Sequence, residues 1–182
     1  TKIEQQVQSS HEAEAGVVYT GVAQVSDGAI VARKTPNITG DVTVDLLHGN
    51  FIGTFSTILM RQNLINTVGY PDEDLPSWHD WDYYLRLSEE TAFEAVSEPL
   101  VRRHSDGQEQ LSHDHPTKRD VTVPRFLETH CSLADKYNIR PEFEATVAAE
   151  LGWSAAINGE FKEARHHYVR SVSKHLSKES II

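Results

Sequence analysis

The sequence predicts an α/β fold, with a mixed sheet and flanking helices, followed by an α-helical C-terminal part. Short β-rich runs such as "GVVYTGVAQV", "FSTILM" and "PLVRRH" alternate with short helical patterns in the first part of the chain. From Lys118 onwards, three helical patterns follow one another without a convincing strand between them. We therefore place a boundary near residue 117, between an α/β part over 1–116 and a helical tail over 117–182.

Length and composition limit the classes of protein to which the chain can belong. Its 182 residues allow one domain, or one domain with an appendage. The net charge of −10 argues against general nucleic-acid binding, which needs lysine and arginine to displace counterions. No run approaches the ~18 apolar residues of a membrane span, and the single cysteine, Cys131, fits a reducing compartment. We expect a cytoplasmic protein that binds no nucleic acid.

Local patterns predict the elements of the first half. Ile3 and Val7 lie at helical spacing and no capping residue precedes them, so we expect the chain to begin inside a helix. Two strands over 16–25 and 29–34 are joined by "SDG", which indicates a hairpin. A short helix capped by Asp41 follows, then a buried strand in "FSTILM", then a short helix that a glycine ends.

The remaining elements are two strands, a loop and three helices. "AFEAV" and "PLVRRH" predict the strands, and "SDGQEQLSHDHPT" is polar and turn-rich, which predicts a loop. The stretch "ELGWSAAINGEFKEARHHYVRSV" is similar to one tetratricopeptide-like hairpin, with small residues at the helix crossing. We expect this tail to pack through an apolar face that includes Trp153 and Phe161. The helical patterns consist of Val121, Phe126, Leu127 and Leu133, of Phe143, Val147, Leu151 and Ala155, and of Phe161, Ala164, Tyr168 and Val172.

The stretch "PSWHDWDYYLRLS", residues 76–88, is the most informative part of the chain. Ser77 and Asp80 have the spacing of a capping box at a helix start, and Asp82 with Arg86 is a favourable i,i+4 ion pair. Aromatic rings crowd the same stretch and point in several directions, which is typical of sugar-binding clefts. Asp80 can thus be a cap, a catalytic carboxylate, or both. The predicted buried stripe is Trp81, Tyr84, Leu85 and Ser88.

The order of several motifs resembles the second half of an inverting glycosyltransferase of family two, which has the A-type fold. The motifs are a turn at Gly49 and Asn50, a strand followed by Arg61, the turn "TVGYPDEDL", the stretch "HDWD", Arg86 one turn later, and "EPLVRRH". The resemblance covers residues 1–116. It implies transfer of a sugar from a nucleotide diphosphate to an acceptor hydroxyl with inversion.

This resemblance assigns roles in the acceptor side of the site. Asp80 matches the catalytic base, which takes the proton of the acceptor hydroxyl as the new bond forms. His79 stands at the first position of the acidic pair, where the family usually has an aspartate or glutamate, and Asp80 stands at the second. Asn50, Trp78, His79 and Trp81 are implied to contact the acceptor, which is a glycan, a lipid-linked glycan or a protein.

The same resemblance assigns the donor side. Arg102 and Arg103 are implied to bind the diphosphate, although alternation along a strand allows only one of them to face a given cleft. His104 is implied to be a ligand of a divalent metal, Mn or Mg. Because "KIEQQV" resembles the helix after the metal-binding Asp-x-Asp segment, we expect the donor-binding half to be missing from this chain and the metal to be held mostly upstream. The parent protein is expected to associate peripherally with the cytoplasmic face of a membrane.

Two other functions remain open. The first is a non-enzymatic interaction module that docks a partner through the helical tail. The second is a metal-dependent hydrolase that uses Asp80, His79 and the "HDH" loop. We expect His113 and His115 of that loop to be solvated, because the sequence shows no distant partner for them. His166 and His167 point about 100° apart on a helix and are a poor ligand pair for each other.

Overall fold

The computed structural model describes residues 1–104 and 114–176, which form two compact units. The described part of the first unit consists of residues 1–46, 50–71 and 80–104. The described part of the second consists of residues 47–49, 72–79 and 114–176. The predicted loop over residues 105–117 therefore lies mostly outside the described residues.

The first unit contains a four-stranded mixed sheet built around one strand. This strand, β1 (Val17–Ser26), pairs antiparallel with β2 (Ala29–Lys34) and with β3 (Ile58–Met60). It also pairs parallel with β4 (Phe93–His104). Val17, Val18 and Tyr19 of β1 are almost fully buried. The prediction of an α/β part with a mixed sheet is confirmed at this level.

The β1–β2 hairpin follows from two residues. Asp27 and Gly28 have φ angles of 50° and 74°, both in the left-handed region. Two successive left-handed residues make the turn whose twist matches that of the paired strands. Ser26 then lies opposite Ala29, and the hairpin predicted from "SDG" is confirmed.

Two strand predictions are corrected. The strand in "FSTILM" is only three residues long, because Phe55–Thr57 forms a 3-10 turn before it. "AFEAV" and "PLVRRH" belong to the single strand β4 rather than to two strands. Pro99 has no N–H for the ladder, and the register between β1 and β4 shifts between Thr20 and Val22. The Thr20 hydroxyl bridges this irregularity by donating to the Glu98 carbonyl at 2.8 Å and accepting from the Leu100 N–H at 3.1 Å.

The N-terminal helix, α1 (Lys2–Glu12), differs from its prediction in two ways. Thr1 is its N-cap and forms a capping box with Glu4, so the expectation of an uncapped start is wrong. Ile3 and Val7 are exposed, and the buried residue is Gln6. The Gln6 side-chain amide donates to the carbonyls of Val18 and Thr57 at 2.8 and 2.9 Å. A polar side chain is buried here because it satisfies two backbone acceptors.

Three further helices lead to the central stretch: α2 (Thr43–Leu47), α3 (Leu64–Val68) and α4 (His79–Ser88). The helix α4 begins two residues after Ser77, because Trp78 has a φ angle of 63° and is not helical. The Ser77 hydroxyl instead shares a hydrogen bond with the Thr122 hydroxyl at 3.1 Å. The predicted capping box is therefore wrong. The predicted buried stripe is confirmed at Trp81, Tyr84, Leu85 and Ser88.

The second unit is helical, as the tail pattern predicts. A short turn, α5 (His115–Thr117), and a π-helical turn over Lys118–Thr122 lead into three longer helices. None of the helices in the described part of the chain has the length and apolarity needed to cross a bilayer. The longer helices are α6 (Val123–Lys136), α7 (Arg140–Ile157) and α8 (Phe161–Leu176).

The crossing of α7 and α8 depends on Gly152. A Cβ atom at this position would lie 3.3 Å from the Ala164 carbonyl oxygen, the His167 Cβ and the Tyr168 Cδ1. The prediction of a small residue at the crossing is thus confirmed. Trp153 and Phe161 are 50% and 73% exposed, so their assignment to a buried face is wrong.

Candidate functional site

The pairing of β2, β1 and β4 brings basic side chains of distant segments to one face of the sheet. Lys34 lies opposite Val22, and Arg103 lies opposite Gln24, two residues further along β1. Because side chains alternate along a strand, Lys34 and Arg103 share a face, whereas Arg102, opposite Ala23, is on the other one. The prediction that only one of the two arginines faces a given cleft agrees with this register.

A cleft of about 300 Å³ lies on the face that carries Lys34 and Arg103. Its other wall is the loop that contains Asn50, Gly53 and Thr54. The Asn50 side chain closes this loop on itself, since its Oδ1 accepts from the Gly53 N–H at 2.8 Å and its Nδ2 donates to the Gly53 carbonyl at 3.2 Å. The sequence places Asn50 and Arg103 in different motifs, and the fold brings them to one cleft.

The cleft is basic although the chain is acidic. Lys34 and Arg103 line it from one face of the sheet, and none of the described residues that line it is acidic, in a chain whose net charge is −10. Arg33 also borders the cleft, but it pairs with Ala23 and so has its side chain on the other face. Partial burial lowers the pKa of the Lys34 ammonium, although the residue as a whole is exposed. An anion bound there would compensate that charge. Chemically, the arrangement fits phosphate groups, which guanidinium and ammonium donors bind.

Asp80 lies in the first turn of α4, in the same unit as the cleft but not among its lining residues. Its Oδ1 accepts a hydrogen bond from the Trp81 N–H at 2.8 Å. This bond and the helix dipole both favour the ionised carboxylate. Burial raises the pKa of Tyr84 above its usual range, and the charge of Asp80 raises it further. The carboxylate is therefore close enough to the phenol to influence its charge.

The aromatic residues beside Asp80 lie mostly in packed surroundings. Trp81 is 2% exposed, and its indole N–H donates to the Leu46 carbonyl at 2.7 Å. Trp78 and His79 are half-buried and belong to the second unit, where the Trp78 ring packs edge-on against Phe126. These placements make Trp81 a support for α4.

His104 is the residue that the resemblance gives to a divalent metal. It lies at the end of β4, opposite Val25, and its side chain is exposed. The one group of three or more metal-ligating side chains found in the described ranges does not include it. His104 is thus a single ligand, and the described residues around it do not complete a site for Mn or Mg.

That one group lies in the second unit and consists of His115, Glu163 and His167. His115 is fully buried, so the expectation that it is solvated is wrong. The reason is that α8 supplies the distant partners that the sequence alone did not reveal. His113 lies outside the described residues.

Sequence reasoning missed Lys34 as a site residue. The turn at "SDG" alone would pair Lys34 with Gly21, and a register shift between Gln24 and Val25 moves Lys34 opposite Val22 and so to the other face of the sheet. Its relation to Arg103 depends on the parallel pairing with β4, for which the sequence carries no local signal.

Comparison with known proteins returned no match to a protein-family model, to a curated protein or to a solved structure.

Proposed function

We propose that this chain provides the acceptor-side half of an inverting glycosyltransferase, which moves a sugar from a nucleotide-diphosphate donor to an acceptor hydroxyl. The observation that supports this most is the basic cleft with Lys34 and Arg103 in an acidic chain. A diphosphate carries the charge and the oxygens that such a cleft would bind. Arg102, on the other face of β4, has no role in this proposal.

In the proposed reaction, the acceptor oxygen attacks the anomeric carbon as the bond to the diphosphate oxygen breaks. A hydroxyl is a poor nucleophile, so a base must take its proton during the attack. Asp80 is the proposed base, since the Trp81 N–H and the helix start both favour its ionised form. A divalent metal, when bound, would neutralise charge on the departing diphosphate. His104 is the one residue of this chain to which the proposal gives contact with that metal.

The acceptor is a glycan, a lipid-linked glycan or a protein. The loop with Asn50, in the first unit, is the proposed contact region for it. Trp81 acts indirectly, because its bond to the Leu46 carbonyl holds α4 and therefore the position of Asp80.

The test uses the full-length protein that contains this chain and a panel of nucleotide sugars and acceptors. We expect Asp80→Asn to lower the rate of transfer by ~10²–10⁴, the loss typical of removing a general base. The change should leave the Tm nearly unaltered, because asparagine has almost the same shape. The alternative, a docking module without catalysis, predicts that the wild-type protein transfers no sugar from any donor of the panel. A variant that transfers at the wild-type rate would exclude Asp80 as the base.

A further inference from the structure

Three side chains of the types that bind transition metals lie close together in the second unit, on α5 and α8. His115 comes from α5, and Glu163 and His167 come from α8. Glu163 and His167 are four residues apart and so lie on one face of their helix. We propose that these three residues bind one zinc-class divalent ion, which links α5 to α8. The site is separate from the cleft of the first unit and does not depend on the proposed function.

The distances fit such a site after small side-chain movements. One ligand atom from each residue lies within 4.8 Å of the other two. The His115 Nε2 is already 3.0 Å from the Glu163 Oε2. Ligands about 2.0–2.1 Å from a tetrahedral zinc ion are roughly 3.3 Å from one another. The cluster therefore has to close by at most about 1.5 Å, which side-chain rotations provide.

Two nitrogen atoms of the cluster lack hydrogen bonds. The Nδ1 atoms of His115 and His167 are both buried and have no partner among the described residues. The two side chains belong to residues that are 0% and 7% exposed. A buried polar atom without a partner is costly and rare in folded proteins. A metal bound through the Nδ1 of either ring would give that nitrogen a partner that the described residues do not supply.

The charges around the cluster favour a cation. The Glu160 Oε2 lies 3.5 Å from the His115 Nε2, and Asp120 pairs with Arg119, the same arginine that pairs with Glu163. Two guanidinium groups, Arg119 and Arg170, oppose these three carboxylates. The Arg119 Nη1 donates to both oxygens of Glu163 at 3.0 Å. Hydrogen bonds of this kind orient carboxylates that ligate metals.

The ligand set selects the kind of metal. Two imidazoles and one carboxylate are a common zinc set, with a fourth position for water. Magnesium and calcium prefer oxygen ligands in larger number, so they fit this cluster poorly. Without a metal, the His115 Nε2 and the Glu163 Oε2 form a hydrogen bond at 3.0 Å. A zinc titration distinguishes a metal site from a simple contact between His115 and Glu163.

The experiment is a calorimetric titration of the untagged, EDTA-treated full chain with zinc chloride. We expect one equivalent to bind, and magnesium chloride to give no binding. Glu163→Gln and His167→Gln should each weaken zinc binding by more than the ~10–100-fold typical of losing an outer partner of a ligand. His166→Gln is the matched control, since His166 is the exposed neighbour of His167 on the same helix and should keep wild-type affinity.

A second measurement protects the test against variants that fold poorly. Zinc at 100 times its Kd should shift the folding equilibrium of the wild-type chain and of His166→Gln by ~100-fold towards the folded state, seen as a rise in Tm. Glu163→Gln, whose side chain is 43% exposed in the wild type, should fold and show no such rise. Absence of zinc binding by the wild-type chain would overturn the proposal. Unchanged affinity in Glu163→Gln or in a folded His167→Gln would do so as well.

Discussion

Asp82 holds Arg86 through two hydrogen bonds to one carboxylate oxygen, at 3.0 Å from Nε and 2.8 Å from Nη2. The same guanidinium donates to the carbonyls of Val68 and Tyr70 at 2.9 and 3.2 Å. Asp82 is 4% exposed. The pair therefore fastens α4 to the turn that follows α3. Two carboxylates two residues apart on one helix thus differ in their surroundings, since Asp80 is half-buried and bonds to its own helix start.

Asp82→Asn should destabilise the protein more than Asp80→Asn does. Replacing the buried carboxylate weakens two charged hydrogen bonds, which we expect to lower the free energy of unfolding by about 1.5–3 kcal/mol. Asp80→Asn should cost less than about 1 kcal/mol, because the asparagine Oδ1 can still accept from the Trp81 N–H. Denaturant titrations of both variants check this. Equal losses would show that Asp80 is a structural residue like Asp82.

Arg103→Ala should weaken binding of inorganic pyrophosphate to the chain, and Lys34→Ala should do the same. Each loses one charged contact in the cleft, so we expect about a tenfold rise in Kd. Arg102→Ala is the matched control, because its side chain is on the other face of β4 and its loss should change the Kd less than twofold by the same argument. Titration at two salt concentrations checks the result, since added salt screens such contacts. Equal effects of Arg102→Ala and Arg103→Ala would contradict the register.

Gln6→Met should lower the free energy of unfolding by about 1–3 kcal/mol, because the carbonyls of Val18 and Thr57 lose their buried donor. Gln6→Glu should cost more at neutral pH, since a buried carboxylate would face two carbonyl oxygens. Burial would raise the pKa of that glutamate in the folded state. The extra cost should therefore be absent below about pH 4 and grow as the pH rises. Chemical denaturation at several pH values separates the two variants, and a cost of Gln6→Glu that is independent of pH would refute this explanation.

Tyr19→Phe should change how stability depends on alkaline pH. Burial raises the pKa of Tyr19 from 10.0 to about 12, and the hydroxyl donates to the Ile38 carbonyl at 2.8 Å. A raised pKa in the folded state contributes stability below pH 10.0, and this contribution is lost as the pH rises to about 12. We expect the wild type to be more stable by about 0.5–1.5 kcal/mol below pH 10.

This advantage should shrink between pH 10.0 and about 12, by at most ~1.4 kcal/mol per pH unit. Urea titrations of both proteins across that range measure the difference directly. If the free energies of unfolding of wild type and variant depend on pH in the same way, ionisation of Tyr19 is not coupled to folding.

The sequence predicts those features of the fold that depend on neighbouring residues. The hairpin at Asp27 and Gly28 follows from two adjacent residues that tolerate left-handed backbone. The pair of Asp82 and Arg86 follows from helical spacing. Three helices of the tail follow from their apolar periodicity. In each case the interacting residues are close in the chain, so a pattern is enough to find them.

Features that depend on distant residues are not visible in the sequence. The burial of Gln6 depends on carbonyls of β1 and of the turn before β3. The periodicity of the sequence does not predict these contacts. The burial of His115 requires α8. The capping box at Ser77 fails because Trp78 adopts a left-handed φ of 63°, a conformation that residue type does not predict. Two residues of the candidate cleft, Asn50 and Arg103, were predicted from the sequence. The third, Lys34, could be identified only from the register of the sheet.

The parallel pairing of β1 with β4 has a consequence for how the chain folds as it is synthesised. β2 follows β1 directly in the chain, so the hairpin can form early. Val17 of β1 can pair with Phe93 of β4 only after the intervening residues have been synthesised. Contacts between distant segments slow folding, because the intervening chain must first be ordered. Until β4 leaves the ribosome, one edge of an apolar strand stays unpaired, and such edges attract other strands. The nascent first unit should therefore depend on chaperones until His104 has emerged.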